Sequence, residues 1–310
     1  MSTKPIAWIT HPDCLLHDMD AEHPESPLRL SGIQDRLMIT GVDGFLRHAE
    51  APQATVEQLQ RVHTAEHVRR ILDRVCEPPV HIDPDTIQMK HTARAALRAA
   101  GAGVLAAEMV LDDRAGLAFC AVRPPGHHAE RAQAMGFCFF NNIAVAAAHA
   151  LAQGLQRVAI LDFDVHYGNG TADIFRDDPR VLLCSTYGHP LYPYWQGSGD
   201  APGLIDVALP AGTPGSVFRT AVSQHWLPAL EAFQPQLLLV SAGFDAHGAD
   251  PMGNLRLGHE DYLWLGHLIQ QIADRCCEGR VVAMLEGGYD VPALARSVES
   301  FLQPFLGGAL

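Results

Sequence analysis

The sequence predicts an α/β fold: a central sheet of mostly parallel strands with helices on both faces. Short runs rich in Val, Ile and Leu alternate along the chain with longer Ala-rich or amphipathic stretches. The short runs are continuously apolar, which is typical of strands buried on both faces of a parallel sheet. Polar residues able to bind a metal or transfer a proton follow these runs directly, and open α/β sheets place ligands at the carboxyl ends of their strands.

Six apolar runs are predicted as strands and a seventh run is weaker. The six are residues 6–10, 117–122, 158–163, 181–185, 237–241 and 281–285, and the seventh is 205–209. Between them, helical periodicity predicts helices over 64–75, 92–110, 142–152, 216–233, 260–275 and 292–301. The chain shows no internal repeat, low-complexity tract or long linker, so we expect a single domain over residues 1–310.

Composition narrows the class of protein. Of the 310 residues, 48% are apolar, enough for a large core, and 22 Lys+Arg against 35 Asp+Glu give a net charge of −13. Without a Lys/Arg cluster, binding to nucleic acid is not expected. The sequence has no apolar stretch long enough for a membrane span, and its first ten residues do not form a secretion signal. We therefore expect a cytoplasmic location.

The seven cysteines are irregularly spaced and include no CxxC pair. An odd number without a pattern indicates reduced thiols. Cys138 follows a histidine pair, which makes a nucleophilic role conceivable. Its place in the apolar run 137–140 favours a packing role instead.

Two carboxylates and one imidazole form a candidate metal site. Asp164 and His166 are two residues apart, and in an extended strand both side chains would lie on one face. Asp245, after the strand at 237–241, would be a third ligand. Three protein ligands leave positions open for water and substrate, as a catalytic zinc site requires. The donors are also hard enough to suit Fe²⁺ or Mn²⁺. Taken alone, this DxH pair fits an ordinary polar strand end equally well.

Four long motifs carry a resemblance to a known family. They are RPPGHHA at 123–129, DFDVHYGNG at 162–170, SAGFD at 241–245 and LEGGYD at 285–290. In this order they resemble the histone deacetylase and acetylpolyamine amidohydrolase family, and more closely its class II-like, bacterial-type members. The resemblance implies the arginase/deacetylase fold, with about eight mostly parallel strands. It also implies zinc-dependent removal of acetyl or other acyl groups from the side-chain amide of acyl-lysine.

Amide hydrolysis requires activation of water, stabilisation of an oxyanion and protonation of the leaving amine. We assign His128 as the general base and then the general acid, and His127 as its electrostatic support. The rigid segment PPG at 124–126 favours a positioned histidine pair over an incidental one. Tyr289 follows two glycines, which allow close approach of the backbone, and its hydroxyl could polarise the substrate carbonyl.

Further roles rest on the resemblance alone. It implies that Asp162 bonds and orients His127. Asn169 would contact His128, where another group of the family carries aspartate. A monovalent cation, K⁺ or Na⁺, would be held by Asp162, Asp164, His166 and Ser185. Without the resemblance, Ser185 would be an ordinary strand-end serine.

Phe137 and Tyr192 are the predicted walls of a narrow apolar channel for the acyl-lysine stem. The segment GFCFFNN at 136–142 matches the family closely, and the Gly136 carbonyl could accept a bond from the substrate amide. The segment LYPYWQG at 191–197 resembles an expanded form of a shorter family loop, so Tyr194 and Trp195 are candidates for the entrance.

At the rim, Asp83 and Asp85 could bond a substrate backbone, or could simply form a turn. Arg29 matches an arginine that the family places in an interior channel; the alternative is a surface residue at a helix start. Met252 stands where polyamine-selective relatives can carry a glutamate that recognises a distant positive charge. A methionine cannot do so, which favours acyl-lysine over acetylpolyamine.

Three alternatives remain at this point. An acetylpolyamine or other small-amide amidohydrolase would use the same residues. A ureohydrolase of arginase type shares the fold but needs a two-metal site with more ligands. A non-catalytic acetyl-binding protein would have no need of ligands, proton shuttle and tyrosine together. The sequence leaves the oligomeric state open.

Overall fold

The computed structural model describes residues 4–20, 22–197 and 201–307. At its centre lies an eight-stranded sheet in which every pair of neighbouring strands is parallel. The strands, in the spatial order β2-β1-β5-β10-β9-β6-β7-β8, are β1 Ile6–Thr10, β2 Leu46–Glu50, β5 Leu117–Cys120, β6 Val158–Asp162, β7 Val181–His189, β8 Leu204–Pro210, β9 Leu238–Ala242 and β10 Val281–Leu285. A separate two-residue hairpin pairs β3 Val80–His81 with β4 Ile87–Gln88.

Helices cover the sheet. They are α1 Leu28–Thr40, α2 Val56–Gln60, α3 Ala65–Leu72, α4 Thr92–Leu111, α5 Asn142–Ala152, α6 Asn169–Phe175, α7 Gly215–Phe233, α8 His259–Cys276 and α9 Val291–Leu302. The central strands β5, β6, β9 and β10 bury every residue, so both faces of the sheet are covered. Helices α4 and α5 pack on each other in one layer, and α1, α8 and α9 pack together in another. Among the described residues, no helix is long and apolar enough to cross a membrane.

The predicted α/β class with a largely parallel sheet is confirmed, and all seven predicted strands are present. The missing eighth strand is β2, an edge strand in which only Leu46 is fully buried. A strand that buries one residue leaves no apolar run in the sequence. Helices α1, α2 and α6 also went unpredicted, two of them because they have only 5 and 7 residues.

The order of the strands explains why distant motifs meet. Strands β5, β10, β9 and β6 are direct neighbours at the centre of the sheet. They run in the same direction and in step, with Cys120 beside Met284, and Asp162 beside Ser241. Their carboxyl ends therefore lie side by side. The four motifs begin in the last residues of these strands or shortly after them.

Candidate active site

Asp164, His166 and Asp245 converge at the carboxyl edge of the sheet. Nδ1 of His166 lies 3.1 Å from Oδ1 of Asp164 and 3.1 Å from Oδ2 of Asp245. One donor atom from each residue falls within 4.8 Å of the other two, and all three side chains are buried. The structure thus brings together the three residues predicted as metal ligands.

The backbone fixes the second oxygen of each carboxylate. Gly287 N–H donates to Oδ2 of Asp164 at 2.7 Å, and Val165 N–H donates to Oδ1 of Asp245 at 2.8 Å. Each carboxylate therefore points its other oxygen at His166. A side chain at Gly287 would collide with both carboxylates, so the close packing here requires glycine.

The donor set fits a divalent cation. Burial, followed by the nearby charge of Asp164, raises the pKa of Asp245 to about 7. Within the part of the chain that the structure describes, no lysine or arginine forms an ion pair with either aspartate. Buried charges are normally paired or bound to metal. Two carboxylates and an imidazole suit Zn²⁺, Fe²⁺ or Mn²⁺.

The prediction that Asp164 and His166 lie in extended backbone was wrong. Strand β6 ends at Asp162, so Asp164 and His166 lie in a bent loop and not in an extended strand. A hydrogen bond of 2.9 Å from the His166 backbone N–H to Oδ1 of Asp164 holds the bend. The side chains are brought together by this local turn.

The two histidines after β5 have different partners. Nδ1 of His127 lies 3.1 Å from Oδ2 of Asp162, and Nδ1 of His128 lies 2.8 Å from Oδ1 of Asn169. The ring centroids of the pair are 4.0 Å apart. Both contacts agree with those that the sequence resemblance implies.

Burial and neighbouring charges separate the pKa values of the two histidines. Burial disfavours a charged His127, but the carboxylates of Asp164 and Asp162 outweigh burial and raise its pKa. Burial, followed by the charges of His127 and His166, lowers the pKa of His128 well below 6.5. His128 is therefore the neutral member of the pair, with a free lone pair to accept a proton.

Tyr289 lines the same cavity as the two histidines. Its backbone N–H donates to Oδ2 of Asp250 at 2.6 Å, and its ring meets Phe137 edge-on with centroids 5.9 Å apart. Burial raises the pKa of the Tyr289 phenol well above 10. The hydroxyl therefore keeps its proton and can donate a hydrogen bond.

Sequence reasoning assigned no role to Glu286, which is completely buried. Its Oε2 accepts hydrogen bonds from the backbone N–H groups of Gly126 at 2.7 Å and His127 at 3.1 Å, and Oε1 accepts one from Ser241 Oγ at 3.2 Å. Glu286 thus ties the histidine segment to the end of β10. A charged residue directly after a wholly apolar strand was the available signal.

A cavity of about 510 Å³ leads to the site. Its lining includes His127, His128, His166 and Tyr289. Its walls and mouth include all but one of the predicted substrate-binding residues, namely Gly136, Phe137, Tyr192, Met252, Asp83 and Asp85.

The exception is Arg29, which does not line this cavity but is completely buried behind it. Its guanidinium carbon lies 5.0 Å from the Tyr289 ring centroid, and the guanidinium donates to the carbonyls of Gly288 and Glu286. The alternative of a surface arginine is wrong. Arg29 supports the loop that carries Tyr289.

The two rim aspartates differ. Asp83 forms a turn, since its oxygens accept hydrogen bonds from the backbone of Asp85 and from both the backbone and hydroxyl of Thr86. The side chain of Asp85 is exposed at the mouth. Asp85 is therefore the better placed of the two to meet a substrate.

The two aromatic candidates for the entrance, Tyr194 and Trp195, have different surroundings. Tyr194 is 67% exposed and lines the cavity. Trp195 instead stacks on Tyr167, with centroids 4.6 Å apart, and donates to Oδ2 of Asp206 at 3.0 Å. Trp195 is a packing residue.

Cys138 is buried, and its thiol donates to the Gly136 carbonyl at 3.3 Å. Burial raises the pKa of the thiol well above 9. A protonated thiol is a poor nucleophile, so the packing role holds.

Ser185 lies on β7, and its buried hydroxyl has no hydrogen-bond partner among the described residues. The hydroxyl of the next residue, Thr186, is in the same condition. Buried polar atoms are rarely left unsatisfied. Neighbouring residues of a strand face opposite sides of the sheet, so the two hydroxyls do not share one site, and only the Ser185 hydroxyl bears on the predicted cation.

Comparison with known proteins agrees with this geometry. A sequence model of the histone deacetylase domain matches residues 23–305. A protein of Archaeoglobus fulgidus named "Probable deacetylase" is 37% identical over 91% of this chain and 81% of its own length. The "Histone deacetylase-like amidohydrolase" of Pseudomonas aeruginosa is 36% identical over 93% of this chain and 76% of its own length.

Human "Polyamine deacetylase HDAC10" is 36% identical over 99% of this chain but only 47% of its own length. The crystal structure of the HDA15 HD domain superposes with a TM-score of 0.92 at 34% identity, covering 99% of this chain and 90% of that domain. The fold and the site define a hydrolytic deacetylase acting on amide bonds. The chain belongs to the histone deacetylase family.

Proposed function

We propose that this protein is a zinc-dependent amidohydrolase that removes acetyl or other acyl groups from the side-chain amide of acyl-lysine. One observation carries the proposal: a neutral His128 and a protonated Tyr289 line a single cavity together with His166, which belongs to the cluster with Asp164 and Asp245. Together these groups would supply the base, the hydrogen-bond donor and the metal ligands that amide hydrolysis requires.

A Zn²⁺ ion held by the three ligands would act as a Lewis acid, lowering the pKa of water and polarising the substrate carbonyl. Fe²⁺ is the alternative ion for this donor set in the cell.

His128 accepts a proton from the attacking water and later delivers it to the leaving amine. His127, whose pKa is raised by the carboxylates of Asp164 and Asp162, stabilises the negative charge that develops nearby. The Tyr289 hydroxyl donates a hydrogen bond to the carbonyl oxygen as it becomes an oxyanion. Phe137 and Tyr192 enclose the methylene stem of the substrate.

Met252 at the mouth supports acyl-lysine as the substrate. The side chain lines the cavity and offers no charge to a distant ammonium group. The alternative is an acetylpolyamine or other small amide, the first of which appears in the name of human HDAC10. The same machinery would hydrolyse either substrate.

We also propose a monovalent cation, K⁺ or Na⁺, held near Asp162, Asp164, His166 and Ser185. The unpartnered hydroxyl of Ser185 supports it. A cytoplasmic location remains our expectation.

The proposal is tested by assaying the purified protein on an acetyl-lysine peptide and on acetylputrescine, before and after chelation of metal. We expect hydrolysis of the peptide, its loss on chelation and its recovery with Zn²⁺. Replacing His128 with alanine should lower turnover at least ~100-fold without loss of bound metal. Activity that survives complete removal of metal would refute the proposal, and a preference for acetylputrescine would select the alternative substrate.

A further inference from the structure

We propose that Glu130 is a positioning residue that fixes the amide orientation of Asn169 and, through it, the tautomer of His128. This inference deepens the proposed function and rests on it, since it concerns the proton transfer assigned to His128. No role was predicted for Glu130 from the sequence.

The three side chains form a chain of hydrogen bonds. Oδ1 of Asn169 lies 2.8 Å from Nδ1 of His128, and Nδ2 of the same amide donates to Oε1 of Glu130 at 2.8 Å. Nδ2 also lies 3.4 Å from Sδ of Met135, which is a weak acceptor. Both ends of the Asn169 amide are therefore engaged, each by a different partner.

A carboxylate can only accept a hydrogen bond, so it selects the NH₂ end of the amide. The amide oxygen must then face His128, and that oxygen can also only accept. Nδ1 of His128 consequently carries the proton, which leaves the lone pair on Nε2. Nε2 is the nitrogen that remains to take a proton from water at the cavity.

The reversed amide would be unfavourable on both sides. Its oxygen would stand against Oε1 of Glu130 at the 2.8 Å now spanned by a hydrogen bond. Its NH₂ group would face Nδ1 of His128, which would have to give up its proton to Nε2. That tautomer has no lone pair at the position where the reaction needs a base.

Glu130 is itself held in place by its backbone. Its N–H donates to the Gln133 carbonyl at 2.9 Å, and its carbonyl lies 3.0 Å from Nδ1 of His63. The next residue, Arg131, donates its N–H to Oδ2 of Asp173 at 2.9 Å. The backbone that carries the carboxylate thus has a defined position, and the bond from Asn169 Nδ2 holds Oε1.

The test compares Glu130→Leu with Glu130→Gln, because glutamine keeps an acceptor oxygen at nearly the same place. We expect Glu130→Leu to lower kcat about 10-fold, the lower range for loss of such an outer partner, with KM and bound metal unchanged. Glu130→Gln should retain most of the turnover. Equal loss in both variants, or no loss in Glu130→Leu, would overturn the assignment.

In a protein that already carries Asn169→Asp, we expect Glu130→Gln to change turnover in the opposite direction. There the two carboxylates face each other, so Glu130→Gln should raise turnover. If Glu130 had only a structural role, Glu130→Gln would lower turnover equally with and without Asn169→Asp. That result would contradict the proposal.

A direct reading of the tautomer separates this inference from the proposed function. In protein labelled with ¹⁵N-histidine, with His128→Ala used to identify the His128 signals, we expect the Nδ1–H form in the wild type and a mixture of tautomers in Glu130→Leu. An Nε2–H form in the wild type would overturn the inference. If the wild type hydrolysed no amide substrate, the proposed function would fail while this spectrum still decided the role of Glu130.

Discussion

The backbone N–H of Gly287 donates to Oδ2 of Asp164 across 2.7 Å, although 123 positions separate the two residues in sequence. This bond joins the loop after β10, which carries Tyr289, to the loop after β6, which carries two candidate ligands. The groups proposed to bind the metal and to polarise the substrate are therefore held in one backbone framework.

Gly287→Ala should disrupt this framework. The added methyl group would fall on carboxylate oxygens of Asp164 and Asp245, which would displace both candidate ligands. We expect metal affinity to fall at least ~10-fold, measured by titration of the metal-free protein with Zn²⁺. Gly44→Ala is the matched control, since a methyl group there meets no atom within 4 Å. Unchanged affinity in Gly287→Ala would contradict the packing argument.

Tyr289→Phe tests the proposed oxyanion donor. The substitution removes one hydroxyl and keeps the ring that packs on Phe137 and Arg29. Loss of a donor to the developing oxyanion should lower kcat about 100-fold, with bound metal and thermal stability close to those of the wild type. If turnover were preserved while the ring remained in place, Tyr289 would have no part in the chemistry.

Met252→Glu tests what selects the substrate. A carboxylate at the mouth could bind the distal ammonium group of an acetylpolyamine, and a hydrogen bond to a charged group is worth about 1.5–3 kcal/mol. We expect kcat/KM for acetylputrescine to rise about 10-fold relative to the acetyl-lysine peptide. Met252→Gln controls for polarity without charge, and an equal shift in both variants would show that charge is not the cause.

The stability of the fold should depend on pH through Glu25. This buried carboxylate bonds to Arg123 and Arg29. Burial opposes its charge, but the two guanidinium groups, with a smaller contribution from His17, outweigh burial and lower the pKa of Glu25 from 4.5 to about 2. Because the pKa is lower in the folded state, ionised Glu25 contributes about 3 kcal/mol to the free energy of unfolding above pH 4.5. This contribution is lost as the pH falls from 4.5 toward 2.

Urea unfolding of the wild type and of Glu25→Gln over a range of pH would measure this contribution. The wild type should be the more stable protein at neutral pH, and the difference in free energy of unfolding should shrink as the pH falls below 4.5. A difference that stays constant with pH would assign the effect to packing instead of charge.

Sequence periodicity found the elements that bury whole faces and missed those that do not. The bounds of α5 agree with the prediction at both ends, because its apolar residues leave a strong pattern. Strand β2 gave no such pattern, since pairing with β1 holds it at the edge of the sheet. Its place was decided by the neighbouring strand and not by its own side chains.

The residues of the candidate active site also include some that the sequence predicted and some that it did not. The common ion of Asp164, His166 and Asp245 was predicted only by joining this set to the other motifs, since the DxH pair alone fits a polar strand end equally well. The partners that hold these groups were not predictable. Glu286 bonds the backbone of His127, and Glu130 reaches His128 through Asn169. Nothing in one sequence indicates which distant atom a carboxylate will meet.

The sequence by itself determined the α/β class through local periodicity, and it identified the reactive groups through the four motifs and their resemblance to a known family. The tertiary structure decided which strands are neighbours, and so which motifs face one another. It also decided that Arg29 is buried behind Tyr289 and that Asp83 is committed to a turn. Those outcomes depend on contacts between residues far apart in the chain, whose energies no local pattern encodes.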